Sequence, residues 1–175
     1  MKVDPKKVLN ALSRRFPRFA AAVRAGKGMP FESVLPPMSA SDIDLLEAEL
    51  RVPLPESYKA FLAITRGFWL ADGVVQLSAG HPFFHEFEEF EGLTPQRRQM
   101  VQRKGGSWPP PRDGMLCFAE YFLEADGDQA LFDVAPGLQD GEYPVLYYAH
   151  EAHPPSVRPG ARSFADWLER LLPLP

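Results

Sequence analysis

Two amphipathic segments meet at a Leu-Pro corner between Ser41 and Gly67, SDIDLLEAELRVPLPESYKAFLAITRG, and that pairing leaves few folds open. Ser41 reads as an N-cap, with Asp42 and Asp44 in the first turn, where the helix dipole favours acids. Ile43, Leu46 and Leu50 recur at i, i+3 and i+7 and form one apolar stripe. Pro53 and Pro55 end that helix, and Pro55 suits the first turn of the next, where its missing N–H is not needed. Leu54, Tyr58, Phe61 and Leu62 form a second stripe. Gly67 then reads as the residue just past the second helix, where left-handed geometry is required. The expected product is a helical hairpin with two apolar faces that other elements must cover. It holds no nucleophile, no metal-ligand set and no phosphate loop, so it points to recognition of another macromolecule and away from catalysis.

The flanking segments supply that cover. Asp4-Pro5 opens a helix bearing Val8, Leu9 and Leu12, which Pro17 interrupts or ends. Phe19 to Val23 continue helically until Gly26 and Gly28, and residues 29–40 form a proline-rich link. Trp69 to Leu77 reads as a hairpin turning at Ala71-Asp72-Gly73. The run from Phe83 to Phe90 reads as an amphipathic turn or short helix, and Thr94-Pro95 opens a basic helix that ends by Gly105-Gly106. Met115 to Phe122, Ala130 to Val134 and Tyr143 to Ala149 read as strands, joined by turns at Asp126-Gly127-Asp128 and Asp140-Gly141. Ser163 caps a last helix carrying Phe164, Trp167, Leu168, Leu171 and Leu172, with Asp166 at N3. The expected fold class is α+β: a single domain with a largely antiparallel sheet, helices packed on it, an N-terminal helical hairpin and a C-terminal helix. Residues 1–38 read as a basic helical extension with a Pro-rich link, and residues 39–175 as the α+β domain proper.

A chain of 175 residues with 45% hydrophobic content suits one domain with a real core. It has neither a run long enough to span a membrane nor an apolar signal core at its N-terminus. With one cysteine, Cys117, no internal disulfide forms, and the setting in MLCFAEYF is that of a buried strand thiol. A cytoplasmic location is the expectation. Charge is split sharply. Residues 1–31 hold eight Lys or Arg against Asp4 alone, a net +7, whereas residues 32–175 hold 11 basic and 22 acidic residues, a net −11. The basic leader is open to three readings: a solvated helix resting on the acidic body, an arm for nucleic acid or another anionic surface, or an organelle transit peptide. Nucleic acid is not expected as a partner except through this arm.

Each chemical constellation has a plainer reading beside it. His81 and His85 are four apart, and His150 and His153 three apart. Spacing of four puts two imidazoles on one helix face, as zinc sites require, but neither pair sits in HExxH, and Pro82 and Pro154 disfavour long helices there. Exposed loop histidines are the simpler reading, and no metal or other cofactor is expected. Glu86, Glu88, Glu89 and Glu91 form either a solvated face or an acidic docking surface; acid–base catalysis would need one carboxyl in an apolar setting. Asp126, Asp128 and Asp133 fit turn chemistry. Trp108 stands before Pro109-Pro110-Pro111, a stiff segment that is cheap to order on binding, and tryptophan is enriched among binding hot spots; the plainer reading is that it packs down on its own domain.

Ile43, Leu46-Glu47, Leu50, Leu54-Pro55, Tyr58, Phe61-Leu62 and Gly67 together resemble the opening of the SUKH superfamily, which includes the yeast regulator of cell-wall glucan synthesis and many bacterial immunity proteins. Gly127-Asp128 followed by Phe132-Asp133 resembles its central Gly-Asp hairpin, and Ser163-Phe164 with Trp167-Leu168 and Leu171 its terminal helix. The likeness runs over residues 39–172. Arg51 departs from it where glycine is usual, and Arg66 where asparagine is common. The resemblance implies a non-enzymatic domain, most often an immunity protein that neutralises a partner toxin, frequently a nuclease, by covering its active site. A regulatory scaffold of the same fold is the alternative, and a metal-dependent enzyme using the histidine pairs is the alternative from another class. A nuclease that grips phosphate presents Lys and Arg, so a cationic toxin domain suits an acidic face. Chemistry, and not the resemblance, selects Glu86, Glu88, Glu89 and Glu91 for charge steering and Trp69 and Trp108 as aromatic anchors.

Overall fold

The computed structural model describes residues 3–26, 31, 33–70, 75–77, 113–121, 128–150 and 152–172, with the backbone alone at 33, 69, 75–77 and 120. Among the described residues the elements run α1 (Pro5–Leu12), α2 (Pro17–Arg24), β1 (Ser33–Val34), α3 (Ala40–Leu50), α4 (Glu56–Leu62), β2 (Phe68–Trp69), β3 (Val75–Leu77), β4 (Met115–Tyr121), β5 (Gln129–Asp133), β6 (Val145–Ala149), β7 (Ser156–Ala161) and α5 (Phe164–Arg170). The strands form one sheet in chain order, each antiparallel to its neighbour. The expected single-domain α+β meander is therefore the observed architecture, and β2 with β3 is the hairpin read from Trp69 to Leu77.

Both halves of the helical corner bury the predicted stripes. Ile43 and Leu46 of α3 are buried, Leu50 packs at the edge of the same core, and Leu54, Tyr58, Phe61 and Leu62 are at most 1% exposed. Each such side chain contributes about 1.5–3 kcal/mol of burial. The caps differ from expectation by small shifts. The N-cap of α3 is Ser39, not Ser41: its Oγ accepts from the Asp42 N–H, and the Asp42 carboxylate accepts from the Ser39 N–H, a complete capping box. Pro55 is itself the N-cap of α4. Gly67 does not close α4, which ends at Leu62; its carbonyl accepts from Leu35 N–H at 2.9 Å at the start of the sheet. The left-handed residue of the corner is instead Arg51, at φ 57°.

Two strands fall outside the elements read from the sequence. β1 lies inside the 29–40 link, and β7 contains Pro159 and Gly160. An edge strand tolerates proline because one side of its backbone is not hydrogen-bonded. Gly160 is the extra residue of an irregularity between the Val145↔Ala161 and Leu146↔Pro159 pairs, and a β-carbon there would stand 3.2 Å from the Val145 carbonyl oxygen. Likewise Pro17 starts α2 instead of merely breaking α1.

The main core joins the helices to one face of the sheet. Phe16 meets Phe164 edge-on at 6.1 Å, Tyr58 meets Phe132 at 5.2 Å, and Phe118 stacks on Phe132 at 4.2 Å. A bulge in β4 makes this packing possible. Cys117 pairs with Leu131 and Ala119 with Ala130, so Phe118 is the extra residue, and both Phe118 and Ala119 enter the main core. Cys117 belongs instead to a second buried cluster with Met115 and Leu131, where Leu146, Tyr148 and Val157 also pack. Its thiol is buried, as the sequence led one to expect.

Candidate partner-binding surface

The sequence-selected contact residues are distributed unevenly over what the structure describes. Glu86, Glu88, Glu89, Glu91 and Trp108 lie outside the described residues, as do His81 and His85. Trp69 lies in β2, its backbone paired with Ser33 on one side and Gln76 on the other.

Several carboxylates in the described part are committed to the fold. α4 begins at a proline and has no capping side chain of its own. Glu142, in the turn between β5 and β6, supplies the cap from a distance: its carboxylate accepts from the Ser57 N–H at 2.8 Å and the Ser57 hydroxyl at 2.7 Å. The turn that presents Glu142 runs through Asp140 at φ 51° and Gly141 at φ 79°, and Gly141 O accepts from the Glu56 N–H at 3.0 Å. Glu47 secures the corner itself, accepting from the Leu54 N–H at 2.6 Å while Lys59 Nζ stands 3.7 Å away. The Lys59 ammonium is held above its ordinary pKa, chiefly by its hydrogen bond to Glu56. Neither Glu142 nor Glu47 stands out in the sequence as a capping residue; the available signal was a proline-initiated helix lacking a Ser, Thr, Asp or Asn before it.

A polar knot closes the far end of the sheet. Asp128 is 4% exposed; it accepts from the Tyr147 hydroxyl and, at 2.5 Å, from the His150 N–H. Burial, then the hydrogen bond to Asp128, raises the Tyr147 phenol well above its ordinary pKa. The Tyr121 ring packs edge-on to Tyr147 at 5.5 Å, and Arg158 sits over the Tyr147 ring at 4.7 Å. Burial also raises Tyr121. The Gly-Asp position in the resemblance is thus, at Asp128, an anchor for β6. His150 Nδ1 lies 3.5 Å from the Tyr148 hydroxyl, and His153 is exposed. Among the described residues no group of three His, Cys, Asp or Glu is placed to hold a metal ion.

The surface of α3 is different in kind. Asp42, Asp44 and Glu49 are exposed on it, and Leu45 stands among them at 68% exposure. Asp42 is engaged in the capping box, whereas Asp44 and Glu49 point their charge at solvent. Adjacent leucines on a helix cannot share one face, so with Leu46 buried Leu45 must turn outward; the Leu45-Leu46 pair was the signal for it. An acidic helix face with an apolar centre can hold a basic protein surface.

Comparison with family models matches residues 37–170 to the SMI1/KNR4 family, SUKH-1. The chain belongs to that family. No curated protein matches this chain. The SUKH-1 match takes in both helices of the corner, the Asp128 hairpin and α5. No helix among the described residues is long and apolar enough to cross a membrane.

Proposed function

We propose that this SUKH-1 protein is a non-enzymatic protein-binding domain, an immunity protein that neutralises a bacterial toxin by covering it. A cationic nuclease domain is the target class that its chemistry suits. The observation that carries this reading is the net −11 of residues 32–175 in a chain whose family is one of protein-binding domains. Acidic surface steers a cationic partner and raises the rate of association. Glu86, Glu88, Glu89 and Glu91 supply the steering, Trp69 and Trp108 the aromatic anchors, and the α3 face around Leu45 supports the same recognition. A regulatory scaffold is the second reading; the basic leader favours it, since an immunity protein for a cationic toxin has no use for that charge.

The test is co-expression with the product of the adjacent reading frame. Rescue of growth, with the two chains co-eluting one to one, is the expected result. Replacing Glu86, Glu88, Glu89 and Glu91 by lysine lowers the association rate at least tenfold at low salt, and Trp108→Ala raises the dissociation rate. A purified protein that binds no such partner but hydrolyses a substrate in a metal-dependent manner ends this reading.

A further inference from the structure

The basic leader is folded into the molecule. Val8, Leu12, Phe16, Phe19 and Val23 are all buried in the main core, so the apolar sides of α1 and α2 are already used. Asn10 of α1 accepts from the Arg24 guanidinium of α2 at 3.1 Å, and the turn between the helices is held by backbone bonds from Arg14, Arg15 and Phe16 to Ala11 and Leu12. What remains outside is charge. Lys6, Lys7, Arg14, Arg15, Arg18 and Arg24 are all exposed. None of the six is in an ion pair among the described residues, and the stretch from Pro5 to Phe31 contains no acid. Among the described residues the leader therefore does not pair its charges with the acidic body. Among the described residues these six cations are exposed without a carboxylate partner, at the cost of their mutual repulsion.

We propose that this α1–α2 face docks double-stranded DNA by its phosphates, independently of base sequence. Four of the six cations are arginines, whose planar forks match phosphate oxygens. Phe16, Phe19 and Phe31 are buried, so among the described residues the leader offers no ring on which unpaired bases could stack, which disfavours single strands. The described residues of the leader offer no free apolar stripe to enter a lipid surface either. The two eight-residue helices can lie at the edge of the wide major groove of B-form DNA, with their cations on the flanking phosphates, and not at the deep, narrow one of A-form RNA. The acidic remainder of the chain repels the duplex, so contact is limited to this one face. The function is a second binding activity, separate from the acidic surface that meets a protein partner.

Deleting the leader would remove part of the core, so the test uses charge substitutions in the full chain. Fluorescence anisotropy with a labelled 25-base-pair duplex at 50–200 mM salt is expected to give binding with a log–log salt slope of about −4 to −5. Arg14→Glu/Arg15→Glu/Arg18→Glu weakens binding at least tenfold and flattens the slope by about three. The triple lysine variant at the same positions keeps the slope, and Arg162→Glu, a charge reversal outside α1 and α2, leaves binding unchanged. Melting curves check folding, and triple glutamine replaces triple glutamate if the latter fails to fold. The proposal is overturned by no salt-dependent binding at 50 mM, by equal loss in Arg162→Glu, or by stronger binding to duplex RNA. Stronger binding to phosphatidylserine vesicles, stronger binding to a polyglutamate peptide, or head-to-tail self-association through this face overturns it equally.

Discussion

Phe19 and Glu169 are joined across 150 positions of the chain: the Phe19 backbone N–H donates to the Glu169 carboxylate at 3.0 Å. α2 begins at Pro17 with Phe16 as its N-cap, which has no side-chain oxygen to offer. The carboxylate of α5 fills that role and also meets the positive end of the α2 dipole. Glu169→Ala is expected to lower unfolding free energy by about 1–2 kcal/mol, the cost of a lost cap. Glu169→Gln, which keeps an acceptor but loses the charge, should cost about half that. Urea denaturation followed by circular dichroism distinguishes the two.

Glu142 makes the same kind of bond to α4, and makes two of them. Glu142→Ala strands the Ser57 N–H and hydroxyl and should cost about 2–3 kcal/mol, because hydrogen bonds to a charged group exceed neutral ones. Ser57→Ala removes only the hydroxyl bond and should cost about 1 kcal/mol. A double-mutant cycle between the two positions should return a coupling of about 1 kcal/mol, read from equilibrium denaturation.

Arg51 holds a left-handed conformation that glycine adopts without strain. Arg51→Gly is expected to raise stability by about 0.5–1 kcal/mol, relief of strain exceeding the added freedom of the unfolded chain. A rise in thermal midpoint measures it. A fall would mean that the Arg51 side chain contributes more than its backbone costs.

Acid should weaken the fold through two helix caps. The Asp42 carboxyl is lowered by its hydrogen bonds from the Ser39 side chain and backbone. For Asp166, burial pushes upward, but the Arg162 N–H bond and the Arg170 and Arg162 charges outweigh it and leave the group lowered. A folded-state pKa below the unfolded one contributes stability that is complete above the ordinary carboxylate value and is lost as pH falls through the lowered one. Stability should therefore be flat from pH 7 to about 5 and decline below about 4. Ser39→Ala should shrink that decline by removing the Asp42 share, as denaturation midpoints at a series of pH values would record.

Tyr147→Phe removes the hydroxyl that donates to buried Asp128. The expected loss is about 1–3 kcal/mol. In the parent protein the Tyr147 phenol should resist alkaline titration longer than a free tyrosine, since its pKa is raised. Ultraviolet difference spectra between the two proteins isolate that one late phenol.

What was legible in the sequence was what neighbours along the chain decide. The stripes of α3 and α4 are local periodicities, and β4 to β6 announce themselves by aromatic and branched runs between short turns such as Asp140-Gly141. Ser39 and Ser41 each precede an aspartate by three positions, so the pattern alone does not choose between them; the backbone entering from Met38 does. β1 is two residues long, and β7 is masked by Pro159 and Gly160, so both take their conformation from partner strands. Glu142 and Glu169 act 85 and 150 positions from their targets, a distance at which no spacing rule applies. For the proposed partner surface, the net charge was readable, but the Glu86–Glu91 run and Trp108 lie outside the described residues.

The contact of Phe16 with Phe164 sets an order on synthesis. The strands can pair one after another as the chain emerges from the ribosome, each with the one made just before. The first helices can place rings against Phe61 and Phe68 early, but Phe16 is not covered on its remaining side until Phe164 has been made. A chain that stops short of Phe164 therefore leaves the Phe16 ring partly wet, the kind of surface that chaperones and proteases recognise.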